Sequence, residues 1–182
     1  MSWGVVLKWL ASLVGHALAK GLAMLLAPLV CAFAATSDRR HLCEPWRWME
    51  TLDWDMAGDP PWREHRLVGD DPLSWWNRTR WIWRNGAQAL SYRRFGTKAI
   101  GLTYRLAPGS VDDPDRPPYG EKLTLAERGG RIVAYYRNRC IAIPGARRYL
   151  QIQTGWKLNY TVAGHHKLIC SVRLRTAPDT TL

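Results

Sequence analysis

Between Trp3 and Ala35 the only side chains that readily carry charge are Lys8, His16 and Lys20, and that limits what the first part of the chain can become. With Ser12 they recur every fourth residue, so on a helix they form one narrow polar stripe. The other positions are apolar or small, and the first twenty residues read as an amphipathic helix. From Gly21 to Thr36 the run GLAMLLAPLVCAFAAT holds no charge. As helix this run covers roughly 24 Å, a little short of a ~30 Å hydrocarbon core. Snorkelling of Lys20 and the preceding apolar turns make up the difference. Pro28 would kink the helix, which membrane spans tolerate.

Residues 1–36 are therefore read as an amphipathic or transmembrane anchor, with Lys20, Leu25, Leu26, Pro28 and Phe33 as its anchoring residues. On this reading, removing them should release a soluble, folded domain. Two other readings stay open. One is a leader cleaved near Ala32-Phe33-Ala34, although a leader normally starts with a short polar stretch. The other is a soluble helix packed on the protein's own core. A lipoprotein site at Cys31 fails because bulky Val30 precedes it. Lys8 and Lys20 on one side balance Arg39, Arg40 and Arg47 on the other, so charge leaves orientation open. Cysteines scattered at 31, 43, 140 and 170 fit no disulfide framework, which points the C-terminal part toward the cytoplasm.

The formal charge of +11 calls for an anionic partner, either an acidic membrane surface or nucleic acid. The charge is unevenly placed. Residues 46–72 carry three basic and seven acidic side chains, whereas 77–182 carry nineteen basic and six acidic ones. Eight of the eleven tryptophans fall between Trp46 and Trp83. Turn signals at Gly58-Asp59-Pro60-Pro61 and Gly69-Asp70-Asp71-Pro72 mark residues 37–72 as an irregular acidic strap that folds across the basic part. Trp54 and Trp62 would pack that strap. Trp46 and Trp48, close to the proposed membrane exit, read equally as packing or as membrane-interface aromatics.

Residues 73–182 are read as a basic helix-plus-antiparallel-β domain. A helix opens at Asp71-Pro72-Leu73-Ser74 and stops at Asn85-Gly86. At 100° per residue, Trp75, Trp76, Thr79, Ile82 and Trp83 share one sector, the expected core face. Trp81 projects from the polar side between Arg78 and Arg84. Arg78, Trp81 and Arg84, with Arg93 and Arg94, are the candidate membrane or ligand surface; cation–π contact within the protein is the structural reading of the same residues. After Phe95-Gly96 the period becomes two. Residues 98–106, 122–128, 131–137, 140–143, 148–154, 156–161 and 167–176 give about six short strands, with a hairpin on Gly129-Gly130. The fold class is α+β, with an N-terminal membrane helix, one or two Trp-rich helices and a small antiparallel sheet.

Catalytic motifs are missing. No phosphate-cradling loop, HExxH or GxSxG occurs. His165 and His166 would point to opposite faces of a strand, which disfavours shared metal ligation. His41 and Cys43 lack a further ligand pair, and Asp112, Asp113 and Asp115 read as a solvated Pro-rich loop. Cys140 and Cys170 sit in apolar strand patterns as small hydrophobes. The expectation is a non-enzyme without metal or cofactor.

The segment Arg78-Thr79-Arg80-Trp81-Ile82-Trp83-Arg84-Asn85-Gly86-Ala87, followed by Tyr92 and Phe95-Gly96, resembles the RxxWLWRNxAYGF segment of small tailed-phage proteins of unknown function. The apolar N-terminus, Trp62-Arg63-Glu64-His65-Arg66 and the late Gly155-Trp156-Lys157 are similar too. Gln88-Ala89-Leu90 departs from the pattern. The resemblance implies a phage origin and a membrane-associated protein, and no known activity. Location then follows as the inner membrane of a bacterial host. The leading reading is a membrane-anchored accessory protein whose basic β domain acts on host membrane lipid or on a host or phage protein. The alternative is a virion or nucleic-acid-associated component that uses the Arg/Trp helix.

Overall fold

The computed structural model describes residues 3–177 and shows an α+β protein. Helix α1 (Trp3–Phe33) leads into a 3₁₀ turn at Trp46–Met49 and three shorter helices. These are α2 (Pro60–His65), α3 (Trp75–Asn85) and α4 (Gln88–Arg93). Seven strands follow: β1 (Thr97–Lys98), β2 (Thr103–Leu106), β3 (Glu121–Arg128), β4 (Arg131–Ala142), β5 (Arg148–Trp156), β6 (His165–His166) and β7 (Leu168–Thr176). The chain forms two compact units. One joins residues up to Leu13 with Gly96 onward, and the other runs from Val14 to Phe95.

In the helical unit, small residues on one side of α1 make close approach possible. Ala23, Ala27 and Cys31 are fully buried, at four-residue spacing, and Val30 joins them. They share a core with Leu42, Met49, Met56, Trp62, Trp81 and Ile82. The segment read as an anchor thus also supplies four side chains, Ala23, Ala27, Val30 and Cys31, to this core.

Helix α3 begins where its cap signal stands, with the Ser74 hydroxyl accepting from the Asn77 N–H, and ends at Gly86. Two of its tryptophans bind α1 carbonyls. Pro28 has no N–H, so the Met24 carbonyl four residues earlier loses its helical donor. The Trp83 indole N–H donates to that carbonyl at 2.9 Å. The Trp75 indole N–H donates to the carbonyl of Pro28 itself at 2.7 Å. Residues 46–71 also pack on α3, through Trp62 against Trp81 and the Val68–Asp71 backbone against Asn77. Asn77, fully buried, accepts from the Val68 N–H and donates to the Val68 and Asp71 carbonyls. Buried Glu50 accepts from the Leu42 N–H and faces His41 at 3.3 Å.

The sheet unit is a five-stranded antiparallel meander in the order β2-β3-β4-β5-β7, with β1 pairing β6 beside it. The expected strand over 98–106 is broken at residues 99–102, where Gly101 adopts a φ of +69°. The expected strands 131–137 and 140–143 merge into the long β4, the expected strand 156–161 is absent beyond Trp156, where β5 ends, and Pro144-Gly145 lies in the turn that joins β4 to β5. On one sheet face Trp156 is buried edge-on against Tyr135, Lys8 sits over its ring, and Trp9 packs on Tyr135. Gly155 precedes it at a φ of +100°, so close to the Tyr135 carbonyl that a Cβ would overlap it. His165 and His166 do diverge: His166 is buried and bonded to the Tyr104 hydroxyl at 2.8 Å, while His165 is half-buried.

Candidate membrane-facing site

Helix α1 presents an apolar face outward. Trp3, Leu7, Leu10, Val14, Leu18, Leu22, Leu25, Leu29 and Phe33 are all exposed, Leu25 at 79% and Phe33 at 87%. Their spacing of three and four residues draws one stripe about 46 Å long. The polar stripe lies on the opposite, inward side. Lys8 covers Trp156, His16 meets Phe95 edge-on, and the Lys20 ammonium donates to the Arg84 carbonyl at the end of α3. Lys20 therefore caps a helix C-terminus. Of the other anchor candidates, Leu25 and Phe33 are on the outward stripe, while Leu26 and Pro28 are half-buried. Trp46 and Trp48 are half-buried against the helical core.

The α3 surface differs from the expected one. Trp81 is only 2% exposed and meets Trp62 edge-on at 5.3 Å, so it is a core residue. Arg78 is 4% exposed, and burial pulls its pKa below the usual guanidinium range. Trp75 and Trp76, expected in the core, are exposed at 46% and 39%. The helix is covered on two sides, by α1 and by the strap, and a single-sector projection misplaces its faces. Arg84 does remain exposed, stacked over Trp62 and Trp81 and 3.5 Å from Asp59. Arg80 also lies over Trp62, 5.4 Å from its ring. The cation–π reading thus accounts for the Arg/Trp pattern of α3. Arg93 and Arg94 are exposed.

What sequence reasoning missed was the outward stripe. Its signal was present in the recurrence of large apolar residues at 3, 7, 10, 14, 18, 22, 25, 29 and 33. Also missed was a polar cleft of about 420 Å³ on the sheet face opposite Trp156, walled by the loop of Asp112 and Asp115. Within it burial pushes the Tyr136 phenol up, so it stays protonated. Among the described residues, no group of three or more His, Cys, Asp or Glu side chains is placed to hold a metal ion.

A helix long and apolar enough to cross a membrane, on an α+β scaffold with a small antiparallel sheet, defines the class of this protein. The chain belongs to a family of unknown function, DUF7338, whose model matches residues 1–176. No curated protein and no solved structure matches it.

Proposed function

We propose that this is a phage-encoded, non-enzymatic accessory protein held at the inner membrane of a bacterial host. Helix α1 lies in the interface, and the basic β unit acts at the cytoplasmic surface on lipid or on a host or phage partner. The outward stripe of α1 carries this reading. Full burial of one Leu or Phe side chain contributes about 1.5–3 kcal/mol, so even partial immersion of the stripe gives stable attachment. The surplus of basic groups adds ~1 kcal/mol for each one that reaches an anionic leaflet. The phage origin rests on the resemblance of the Arg78–Ala87 segment.

A lying helix is favoured over a crossing one by what packs on it. Trp75 and Trp83 join α3 to the Met24–Pro28 stretch, and α3 brings Arg78, Arg80 and Arg84 with it. Placing that stretch at mid-bilayer would draw these charges into hydrocarbon, at ~2.5–3.5 kcal/mol each on insertion scales. A helix in the interface plane immerses only its apolar face.

The test is flotation of the full chain with vesicles of phosphatidylcholine and phosphatidylglycerol. The parent should float with the lipid. A Leu18→Glu, Leu25→Glu variant, altered only at exposed positions, should keep its thermal midpoint and lose at least tenfold in bound fraction. A variant that floats like the parent, or a parent that stays monodisperse and lipid-free without detergent, overturns the proposal. Recovery on single-stranded DNA instead would support the nucleic-acid reading, which has lost Trp81 as its stacking residue.

A further inference from the structure

One face of the five-stranded sheet is polar where a sheet normally buries apolar side chains. Strand register aligns Lys122, Asn138, Gln153 and Ser171 in one row across β3, β4, β5 and β7. The next row carries Cys140, Gln151 and Arg173. Asn138 and Gln151 are more than nine-tenths buried, yet the Asn138 side-chain oxygen has no hydrogen-bond partner. Leaving a buried amide acceptor unpaired costs stability, and such a group in a cleft is poised for an incoming donor. Its neighbours are already oriented. The Gln153 amide donates to the Tyr136 hydroxyl at 2.8 Å and accepts from Ser171 at 3.3 Å. The Arg175 guanidinium donates to Gln151 at 3.4 Å.

The wall is held in place as well. Lys122 donates to the Asp112 carbonyl at 2.9 Å, and Tyr119 stacks on Tyr149 at 4.7 Å, which fixes the Pro-rich loop along the edge of the cleft. The lining sets four cations, Lys122, Lys157, Arg173 and Arg175, against the carboxylates of Asp112 and Asp115. The excess is positive and selects an anion. Amides both donate and accept, which matches hydroxyl groups that do the same, and guanidinium forks match phosphate oxygens. The volume lies in the range of small-ligand sites.

We infer that this cleft binds a small hydroxylated anion of the sugar-phosphate class, the phosphate on Arg173 and Arg175 and a hydroxyl on Asn138. The site is separate from the α1 stripe, so it stands whether or not the membrane reading holds.

Titration calorimetry of the full chain in mild detergent tests it, with glucose 6-phosphate, glucose and inorganic phosphate as probes. Glucose 6-phosphate should bind saturably and at least tenfold more tightly than either half alone. Arg173→Gln, at an exposed position, should weaken it tenfold or more with the thermal midpoint unchanged. Asn138→Leu, which removes the acceptor oxygen and keeps the side-chain volume, should weaken it at least tenfold while far-UV circular dichroism stays that of the parent. Absence of saturable binding by glucose 6-phosphate overturns the proposal. So does phosphate binding of equal strength that ignores both substitutions, which would mark a basic surface only.

Discussion

Pro28 and Trp83 form a pair whose energetic coupling can be worked from the structure. The proline removes the N–H that would serve the Met24 carbonyl, and the Trp83 indole supplies a substitute at 2.9 Å. Trp83→Phe keeps an aromatic ring there and removes the donor. The bare carbonyl should then cost about 1 kcal/mol, the low end of the range for an unsatisfied group, because the site is partly open to water. Pro28→Ala restores a backbone N–H at position 28 and relieves the helix, so it should stabilise the protein. In that background the Met24 carbonyl has its helical donor, and Trp83→Phe should cost only the difference in ring size. The double-mutant cycle should therefore show a coupling of about 1 kcal/mol. Urea unfolding of the full chain in nonionic detergent, followed by far-UV circular dichroism, measures all four corners. An equal cost of Trp83→Phe in both backgrounds would refute the reasoning, since the indole would then be no surrogate for the missing amide.

Trp81→Ala should destabilise the helical unit by about 3–5 kcal/mol, because it empties a core site against Trp62; a variant with the parent's urea midpoint would return Trp81 to the surface. Gly155→Ala should cost about 2 kcal/mol or more, through a left-handed φ and overlap with the Tyr135 carbonyl. Differential scanning calorimetry checks it, and an unchanged midpoint would show that the β4–β5 approach is soft.

Local signals were legible and two-sided packing was not. The α3 boundaries follow from Ser74 and Gly86, and the β3–β4 hairpin from Gly129-Gly130, because caps and tight turns depend on a few adjacent residues. The break between β1 and β2 escaped notice because the apolar alternation continues through Ala99–Leu102, and only Gly101 marks it. The faces of α3 were misjudged for a different reason. Amphipathic projection assumes one buried side, yet the strap packs on Asn77 and Trp81 while α1 meets Trp75 and Trp83. For α1 the projection separated the faces correctly. A sequence pattern states which face is polar, but not which face meets the medium. Here the protein holds Lys8, His16 and Lys20, and the apolar side is left outward.

That inversion also gives a physical account of the excess of tryptophan over phenylalanine. A helix that turns Ala23, Ala27 and Cys31 toward its neighbours lets them come close, with Gly86 at the end of α3 beside Ala23, so that indole rings on α3 reach the α1 backbone. A helix interrupted by Pro28 also offers the Met24 carbonyl bare of its helical donor. Phenylalanine has the flat ring without a donor, whereas tryptophan carries one N–H at the far end of a large ring. Trp75 and Trp83 donate it to the carbonyls of Pro28 and Met24. Trp62 and Trp81 use the same ring differently, as faces on which Arg80 and Arg84 stack. Exchanging Trp83 for phenylalanine thus removes a hydrogen bond, whereas exchanging Trp62 weakens a cation–π stack, an interaction of ~0.5–2 kcal/mol that fades little with salt once desolvated. The Arg/Trp alternation of α3 is in this sense the complement of the small residues and the proline of α1.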